Sequence, residues 1–413
     1  MIYNLTISAL RVAYAIGSLF LPKAKAFREG RKNLLANLKT AIGNQPHPLV
    51  WFHCASVGEF EQARPVMEAF RQQWPSVKIL LTFFSPSGYE LRKKYSGADY
   101  IFYLPWDTPS NSRRFVEITK PALAIFVKYE FWLNYTLELR KQNTVILSIS
   151  SIFRPDQAFF QWYGKSYQKI LSNFTHFFVQ NNASRELLKS IGITSVTIAG
   201  DTRFDRVHQI IQQAAEIPVA QQFKDNQKVF VIGSCWPEDM NVLAPFITDH
   251  QHELKFIIAP HEISESFLQE IEESIQVKHI RYSKAGENVQ DHTVLIIDNI
   301  GMLSKLYRYG EFAYVGGAFG KGLHNILEAA CYGIPIFFGN KNYQKFQEAH
   351  DLIMRGGAFE VGDYAELKTK YEMMMNRPEN FLLACEVTKS YVEENLGATQ
   401  KIVQFCSSYL NKS

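Results

Sequence analysis

Residues 316–335 carry the densest set of side chains that could do chemistry. The apolar run Phe312–Val315 predicts a strand, and we expect a helix to open at His324–Asn325. Glycines between them let the backbone approach a ligand closely, and the unpaired N–H groups of a first helical turn favour a phosphate. The candidate residues of this stretch are Gly316, Gly317, Gly320, Gly322, His324, Asn325 and Glu328.

Glu328 stands three residues after Asn325, so the two side chains would share one face of that helix. From there they could reach a ribose hydroxyl or the base of the same ligand. The stretch therefore predicts a nucleotide site, in particular one for a nucleotide-sugar. Tight packing of a strand-to-helix turn is the alternative, because the spacing is neither G-x-G-x-x-G nor a Walker loop.

Glu59 is the candidate for acid–base chemistry. It ends the segment His53-Cys54-Ala55-Ser56-Val57-Gly58-Glu59, which follows an apolar strand and precedes a helical pattern. A carboxylate there could take a proton from an acceptor hydroxyl. It could equally cap its own helix, where the helix dipole favours a negative charge.

Further polar residues follow other predicted strands. Ser85 and Ser87 suit contact with an anion or a sugar, and N-capping by serine explains them equally well. Lys128 and Glu130 follow the run Leu123–Val127 and suit a carbohydrate or lipid-phosphate site, to which interface packing is the alternative. In the second half of the chain, the corresponding residues are Gly233, Ser234, Trp236 and His261. No H-E-x-x-H motif or acidic metal-binding pair is present in the sequence, so we expect no metal and no cofactor.

Short apolar runs alternate with helical patterns, which is typical of βαβ units and parallel sheets. The predicted strands are Leu49–His53, Lys78–Phe83, Tyr100–Tyr103, Leu123–Val127, Val145–Ile149, His176–Gln180, Ser195–Ile198, Val229–Ile232, Lys255–Ile258, Val294–Ile297, Phe312–Val315 and Ile334–Phe338. The pattern predicts an α/β protein with two Rossmann-like domains. The cleft between the carboxyl ends of their sheets would then hold the ligands.

The expected boundaries follow from these patterns and from composition. Residues 1–22 form a membrane-associated helix, 23–205 an N-terminal domain and 206–227 a Gln-rich linker. Residues 228–385 form the C-terminal domain, and 386–413 a helix that could cross back to the first domain. A length of 413 residues agrees with two domains.

Composition narrows the function classes. A net charge of +4 is too small to argue for nucleic-acid binding. The five cysteines are widely spaced and include no C-x-x-C pair, which indicates a reducing compartment rather than a disulfide framework or a structural zinc site.

The N-terminal helix has an apolar face adjacent to a basic run. Apolar residues recur at helical spacing, and Arg11 near the centre makes a transmembrane span the weaker interpretation. Six basic residues between Lys23 and Lys39, against one acid, would face anionic lipids. Packing of this helix on the protein's own core is the alternative. The apolar face comprises Ile2, Leu5, Ala9, Val12, Ile16 and Leu19.

The ordered set of these motifs resembles a known family. Ser56-Val57-Gly58-Glu59, Ser85-Pro86-Ser87-Gly88, Glu130-Phe131-Trp132, Gly200-Asp201-Thr202-Arg203-Phe204-Asp205, Gly233-Ser234 with Trp236-Pro237-Glu238-Asp239, and the block 316–335 occur in that order. Together they resemble the 3-deoxy-D-manno-octulosonic acid (Kdo) transferases of lipopolysaccharide synthesis. The resemblance covers nearly the whole chain.

The resemblance implies a GT-B glycosyltransferase at the cytoplasmic face of the inner membrane. Such an enzyme moves Kdo from its cytidine monophosphate donor, CMP-Kdo, to a lipid A precursor (lipid IVA), with inversion and without a metal. Glu59 then matches the catalytic base and Glu130 a second acid near the acceptor, while His324, Asn325 and Glu328 match the donor site, with Glu328 on the ribose. Ser56, Gly58, Ser85, Ser87, Lys128 and Arg203 fall on the acceptor side.

Three positions depart from the family pattern. Ala259-Pro260-His261 stands where relatives often have Pro-Arg-His, so the arginine before the histidine is missing. The prolines of Asn-Pro-Leu-Glu-Pro are absent around Asn325 and Glu328, and Arg203 stands where many relatives have lysine. A different GT-B transferase, a related epimerase or a non-catalytic nucleotide-sugar-binding membrane protein are the alternatives, and a non-catalytic relative would have no need of Glu59.

Overall fold

The computed structural model describes residues 2–43, 46–213 and 215–411, so Met1, Ala214 and residues 412–413 of the predicted segments lie outside the described residues. The chain divides into two compact units. Unit 1 comprises Met1–Arg206 and Leu396–Ser413, and unit 2 comprises Val207–Asn395. The last residues of the chain therefore belong to the same unit as the first.

Unit 1 is built on a parallel sheet that contains seven strands within its described residues. Their spatial order is β3-β2-β1-β4-β5-β6-β7, so the first strand lies inside the sheet and the order reverses beside it. The strands are β1 Leu49–Cys54, β2 Lys78–Phe83, β3 Tyr100–Tyr103, β4 Leu123–Val127, β5 Val145–Ser151, β6 His176–Val179 and β7 Val196–Ile198.

Helices cover both faces of this sheet, as parallel strands require. They are α1 Ile2–Gly17, α2 Pro22–Glu29, α3 Leu34–Ile42, α4 Val57–Gln73, α5 Pro86–Arg92, α6 Pro109–Thr119, α7 Leu133–Lys141, α8 Lys165–Leu171 and α9 Asn182–Ser190. The next helix, α10 Thr202–Gln213, begins in unit 1 and ends in unit 2. Two apolar clusters, one on each face, form the core of the unit.

Unit 2 repeats the architecture with a sheet in the order β10-β11-β9-β8-β12-β13-β14. Its strands are β8 Lys228–Cys235, β9 Leu254–Pro260, β10 His279–Arg281, β11 Val294–Ile296, β12 Phe312–Val315, β13 Ile336–Gly339 and β14 Ala358–Val361. Its helices are α11 Pro218–Lys224, α12 Pro237–Asp249, α13 Glu265–Ser274, α14 Leu303–Leu306, α15 Leu327–Ala330, α16 Gln347–Arg355, α17 Tyr364–Asn376 and α18 Pro378–Glu394.

Every apolar run that was predicted to be a strand contains a strand in the structure. Two strands of the described residues, β10 and β14, were not predicted. β10 has three residues and β14 has four, and both lie at an edge of the sheet. Short edge strands have little apolar periodicity to detect, because part of their surface faces solvent.

Two segments differ in detail from the interpretation of the sequence. Residues 206–227 contain the end of α10 and the helix α11, whose Ala220 and Phe223 are buried in unit 2. Residues 386–411 form two helices rather than one: α18 ends at Glu394, and α19 Ala398–Leu410 starts after Gly397, which has a φ of 96°. The carboxylate of Asp205 accepts hydrogen bonds from the N–H groups of Gly397 (2.7 Å) and Thr399 (2.6 Å) and so fixes the start of α19.

The helix α1 packs on unit 1 through its more polar side. The Tyr3 hydroxyl donates to Asp107 at 2.6 Å, and Asn134 donates to Asn4 at 2.9 Å. The predicted apolar face points away: Leu5, Val12, Ile16 and Leu19 are 57–70% exposed. The alternative in which this face packs on the protein's own core is therefore wrong for these four residues.

No single helix in the described part of the chain is long and apolar enough to cross a membrane. The first two helices pass that test only as a pair, and their axes are bent by 116°. Five of the six basic residues that follow α1 are exposed. The sixth, Arg31, instead donates to the carbonyls of Phe27, Phe84 and Leu104 and stacks over the Phe27 ring at 3.5 Å.

Candidate active site

The carboxyl ends of three neighbouring strands gather the candidate residues of unit 1. The strands β2, β1 and β4 are adjacent in the sheet, so the loops that follow them meet at one edge. We call this the first edge; it consists of residues 55–59, 84–88 and 128–132. The predicted residues Ser56, Gly58, Glu59, Ser85, Ser87, Lys128 and Glu130 all belong to it.

Glu59 is at once the third residue of α4 and a base candidate. Ser56 caps the helix, with its Oγ accepting from the Glu59 N–H at 3.4 Å, and Glu59 Oε2 accepts from the Ala55 N–H. Burial and the charge of Glu130 raise the pKa of Glu59 to about 8, against the lowering effect of the Ala55 N–H and of Lys128. Capping thus holds the carboxylate in place, and its surroundings tune it to the range in which a general base works best.

Glu130 is held by a chain of buried groups that the sequence did not reveal. Its Oε2 accepts from Trp132 Nε1 at 2.7 Å and lies 3.1 Å from His53 Nε2. Thr82 Oγ1 accepts from Trp51 Nε1 at 2.8 Å and lies 2.8 Å from His53 Nδ1. With His53 Nε2 donating to Glu130 and the Thr82 hydroxyl donating to Nδ1, every group in this chain has a partner.

Lys128 adopts a backbone conformation that costs energy. Its φ is 58°, in the left-handed region that residues with a Cβ rarely occupy. Its charge lowers the pKa of both Glu59 and Asp201. Strained residues at strand ends often serve a site, and here the strain directs a cation toward the carboxylates of unit 1.

Arg203 forms an ion pair with Asp201, two residues before it in the chain. Its Nε and Nη2 atoms each lie 2.9 Å from Asp201 Oδ2, and its N–H donates to Asp201 Oδ1. Asp201 is buried and also accepts from Gln62, on α4, and from Gln180. This loop is therefore attached to the helix that carries Glu59, and the role of Arg203 in binding a ligand stays a prediction.

The small residues of the first edge differ in what fixes them. Ser85 caps α5 by accepting from the Gly88 N–H at 3.1 Å, and Ser87 Oγ lies 3.4 Å from Ser85 Oγ. A Cβ on Gly58 would meet nothing closer than Ser56 Oγ at 4.0 Å. Neither the packing of the described residues nor a left-handed φ requires glycine at position 58, so its value lies in the open space beside Glu59.

In unit 2, the second edge consists of residues 234–239, 261–262 and 316–328, which follow the adjacent strands β8, β9 and β12. The glycine loop there is folded around a buried carboxylate. Asp239 Oδ2 accepts from the N–H groups of Gly317 (3.0 Å) and Trp236 (2.9 Å), and Oδ1 accepts from Tyr314 (2.9 Å). A Cβ on Gly316 would lie 2.7 Å from this carboxylate, so that glycine is required by packing.

The N–H groups of the four glycines all donate within the fold. The N–H groups of Gly316, Gly317, Gly320 and Gly322 donate to Gly233 O, Asp239 Oδ2, Gly317 O and Gly317 O, respectively. Gly233 is likewise required by packing, because a Cβ there would lie 2.0 Å from the Tyr307 hydroxyl. Ser234 follows it with a left-handed φ of 53°. The glycines thus shape the loop, and a phosphate site at the first turn of the following helix stays a prediction.

The helix of this loop begins later than predicted. His324 and Asn325 precede it, and α15 runs from Leu327 to Ala330, so Glu328 lies in its first turn. Asn325 Nδ2 still donates to Glu328 Oε1 at 3.1 Å. The other amide atom, Asn325 Oδ1, is buried and has no hydrogen-bond partner among the described residues. An acceptor in that state suits a donor group of a bound ligand.

An aromatic stack forms the other wall of the second edge. His261 lies between Trp236 and His324, with ring centroids at 4.5 Å and 4.3 Å. Trp236 Nε1 donates to His324 Nε2 at 3.0 Å, and burial together with the charge of His261 lowers the pKa of His324 to about 4. His324 is therefore neutral at pH 7. The cation beside the stack is Lys321, whose Nζ lies 4.0 Å from the Trp236 ring centre.

Sequence reasoning missed the residues that support these two edges. His53 and Thr82 are polar residues inside buried strands. A polar residue in an otherwise apolar strand was the feature of the sequence that could have indicated their role. Within the described residues, no group of three or more His, Cys, Asp or Glu side chains could hold a metal ion.

Solved structures share this architecture. A UDP-N-acetylglucosamine 2-epimerase of Listeria monocytogenes superposes with a TM-score of 0.61 over 89% of this chain and 98% of its own, at 11% identity. A glycosyltransferase of Rickettsia africae superposes with a TM-score of 0.56 over 89% of this chain and 100% of its own, also at 11% identity. Two parallel α/β units, each with polar residues at the carboxyl edge of its sheet, define a protein of the GT-B-like class.

Sequence comparisons find the same family that the motifs resemble. A 3-deoxy-D-manno-octulosonic acid transferase of Aquifex aeolicus is 27% identical over 84% of this chain and 89% of its own, and one of Rickettsia felis is 24% identical over 88% and 79%. The family model for 3-deoxy-D-manno-octulosonic-acid transferases (kdotransferases) matches residues 30–206. Residues 30–206 therefore match a Kdo transferase domain, and similarity to Kdo transferases extends over most of the chain, as the resemblance of its motifs predicted.

Proposed function

We propose that this protein transfers Kdo from CMP-Kdo to a lipid A precursor (lipid IVA), with inversion and without a metal ion. Similarity to Kdo transferases supports a Kdo glycosyltransferase of lipopolysaccharide synthesis. The observation that carries the assignment of chemistry is the state of Glu59. Its pKa of about 8, raised by burial and by Glu130, is that of a carboxylate prepared to accept a proton near neutral pH.

In this proposal the first edge binds the acceptor. Glu59 accepts the proton of the glucosamine hydroxyl as the hydroxyl oxygen attacks the anomeric carbon of Kdo, and the bond from that carbon to the phosphate breaks. Glu130, which lies within hydrogen-bond distance of His53 and Trp132, keeps the proton affinity of Glu59 high. Lys128 balances the two negative charges. The open space at Gly58 admits the sugar.

The second edge would bind the donor. Asn325 Oδ1 lacks a hydrogen-bond partner in the described structure and would accept a hydrogen bond from the nucleotide. The carboxylate of Glu328 would accept hydrogen bonds from the ribose hydroxyls. The rings of Trp236 and His261 offer a stacking surface. Because the arginine that relatives often carry before His261 is missing and His324 is neutral, we assign the cationic role toward phosphate or the Kdo carboxylate to Lys321.

The membrane contact is part of the proposal. The outward apolar face of α1 and the exposed basic residues after it suit an anionic bilayer surface at the cytoplasmic face of the inner membrane. The double variant Val12→Glu, Ile16→Glu should lose binding to anionic vesicles in a sedimentation assay. Met354→Glu changes an exposed apolar residue of unit 2 and is the control. Equal binding of both variants would refute the membrane assignment.

Incubation of the protein with CMP-Kdo and tetraacylated lipid A precursor, followed by mass spectrometry of the lipid, tests the reaction. A mass increase by Kdo units and release of CMP are expected. UDP-N-acetylglucosamine replaces the donor in a parallel incubation, because the superposed structures include epimerases of that nucleotide-sugar. Conversion of this compound with no change in the lipid would overturn the proposal.

A further inference from the structure

An apolar cavity lies between the first two helices and the first edge. Its volume is about 520 Å³, within the range of small-molecule sites. Its wall comes from Ala13, Tyr14 and Gly17 on α1, Phe27 on α2, and Phe84 and Ser85 at the end of β2. A pocket whose wall is mostly apolar is suited to a hydrocarbon chain.

The wall of this cavity is fixed by ring contacts and by a buried cation. Phe27 lies 4.8 Å from Tyr14 and 5.2 Å from Phe84, measured between ring centroids. Arg31 donates to the carbonyls of Phe27 and Phe84 and stacks over both rings. The cavity is therefore part of the folded unit rather than a gap between loosely packed helices.

Two series of contacts connect the inner end of the cavity with the carboxylates of the first edge. The Ser85 N–H donates to the Ala55 carbonyl at 2.9 Å, and the Ala55 N–H donates to Glu59. The Phe84 ring packs against Trp132 at 4.9 Å, and Trp132 donates to Glu130. A ligand whose hydroxyl lies at Glu59 thus has the cavity next to it.

The charges around the cavity indicate a phosphorylated lipid. Lys23 lies on its wall, and a second cavity of about 510 Å³ shares Tyr14 and Phe27 with it. That second cavity contains Arg11, Arg28 and Arg31. Cationic groups beside an apolar channel match a molecule that carries phosphate and acyl chains together.

We propose that the cavity holds an acyl chain of the glycolipid acceptor while its hydroxyl lies at Glu59. This inference rests on the proposed function, since it names the part of the same acceptor that unit 1 recognises. The chain positions the sugar for attack, and the enzyme gains from it a preference for acylated over chain-free acceptors.

Ala13→Trp tests the inference, because residue 13 is exposed on the cavity wall and a tryptophan there would fill the channel. Ala26→Trp, an exposed position on α2 that lines neither of the two cavities, is the matched control. Both variants and the wild type are assayed in detergent micelles. The acceptors are the tetraacylated precursor and the same bisphosphorylated disaccharide without acyl chains. The readout is the ratio of kcat/KM for the acylated acceptor to that for the chain-free one.

The ratio should fall at least about tenfold in Ala13→Trp, since several buried methylene contacts are lost, and should keep the wild-type value in Ala26→Trp. An equal ratio in all three proteins would overturn the acyl site and leave the proposed function standing. Loss of vesicle binding by Ala13→Trp at an unchanged ratio would assign the cavity to bilayer lipid and would also overturn it. A wild type that transfers to neither acceptor would instead refute the proposed function.

Discussion

The first and second edges both lie at the carboxyl ends of parallel strands, but they differ in what their side chains provide. The first edge collects charge: Glu59, Glu130 and Lys128 influence one another, and the pKa of Glu59 rises to about 8. At the second edge the shape of the glycine loop matters more than charge: Asp239 fixes this loop, and the ring of His324 is neutral. Both have a residue with a left-handed φ where a strand ends: Lys128 directly follows β4, and Ser234 is the next-to-last residue of β8. The same fold element thus serves proton transfer in one unit and recognition in the other.

Glu59→Gln is the sharpest way to break this division of roles. We expect kcat to fall by about 10²–10⁴-fold, because an amide cannot accept the proton. Calorimetric titration should show that CMP still binds as to the wild type. Glu61→Gln, two residues on in the same helix, is the control, since Glu61 pairs with Arg92 outside the site. Turnover at the wild-type rate would remove Glu59 from catalysis.

Asp239→Ala examines the second edge in the same manner. The substitution leaves the N–H groups of Trp236 and Gly317 and the Tyr314 hydroxyl without their acceptor. We expect a loss of about 2–4 kcal/mol in the free energy of unfolding, measured in urea, and weaker CMP binding. The exposed neighbour Glu238→Ala should change neither. Wild-type CMP affinity in Asp239→Ala would show that the loop does not need its carboxylate.

The pH profile tests whether charge governs the first edge. Because the ionised form of Glu59 is the base, kcat/KM should rise with pH through about 8. In Glu130→Gln, the neighbouring charge that raises the pKa of Glu59 is gone, so the rise should move to lower pH. His53 and Trp132 can still donate to the amide oxygen, which preserves the geometry. Coincident profiles would contradict the coupling.

The same pKa predicts a change in stability. The folded-state pKa of Glu59 lies above its ordinary value of about 4.3, so the stability it contributes is present below that value and is lost as the pH rises through about 8. Gln at position 59 does not titrate. The Tm of Glu59→Gln relative to the wild type should therefore increase between about pH 6 and pH 9. A Tm difference that stays constant over this range would argue against a raised pKa.

Gly58→Ala should produce the smallest effect and the clearest separation of stability from function. A Cβ at position 58 meets no close atom, and an alanine in a helix is more stable than a glycine by about 0.5–1 kcal/mol. We expect a Tm equal to or above that of the wild type, together with a several-fold higher KM for the acceptor. An unchanged KM would show that the space beside Glu59 is not used by the sugar.

Much of the first edge could be predicted from the sequence, because parallel strands place the residues that follow them at one edge. Glu59 and Glu130 were found in this way. The glycine loop was harder, since its shape depends on Asp239, 78 positions before Gly317. The predicted start of α15 was wrong for the same reason. The N–H groups of Leu323 and His324 donate to the carbonyls of Asn342 and Gly316, and because of these contacts the helix begins later in the chain. Local pattern cannot report such distant partners.

Completion of unit 1 by α19 has a consequence for biosynthesis. Ile402, Cys406 and Leu410 are buried in the same apolar cluster as Phe70 of α4. While the ribosome is still making unit 2, the apolar groups beneath α19 have no cover, even though every strand of the first sheet has already emerged. Such a surface favours association with chaperones or with other nascent chains. Maturation of the unit that carries Glu59 must therefore wait for synthesis of residues 398–410, and a messenger truncated before them would leave that unit incomplete.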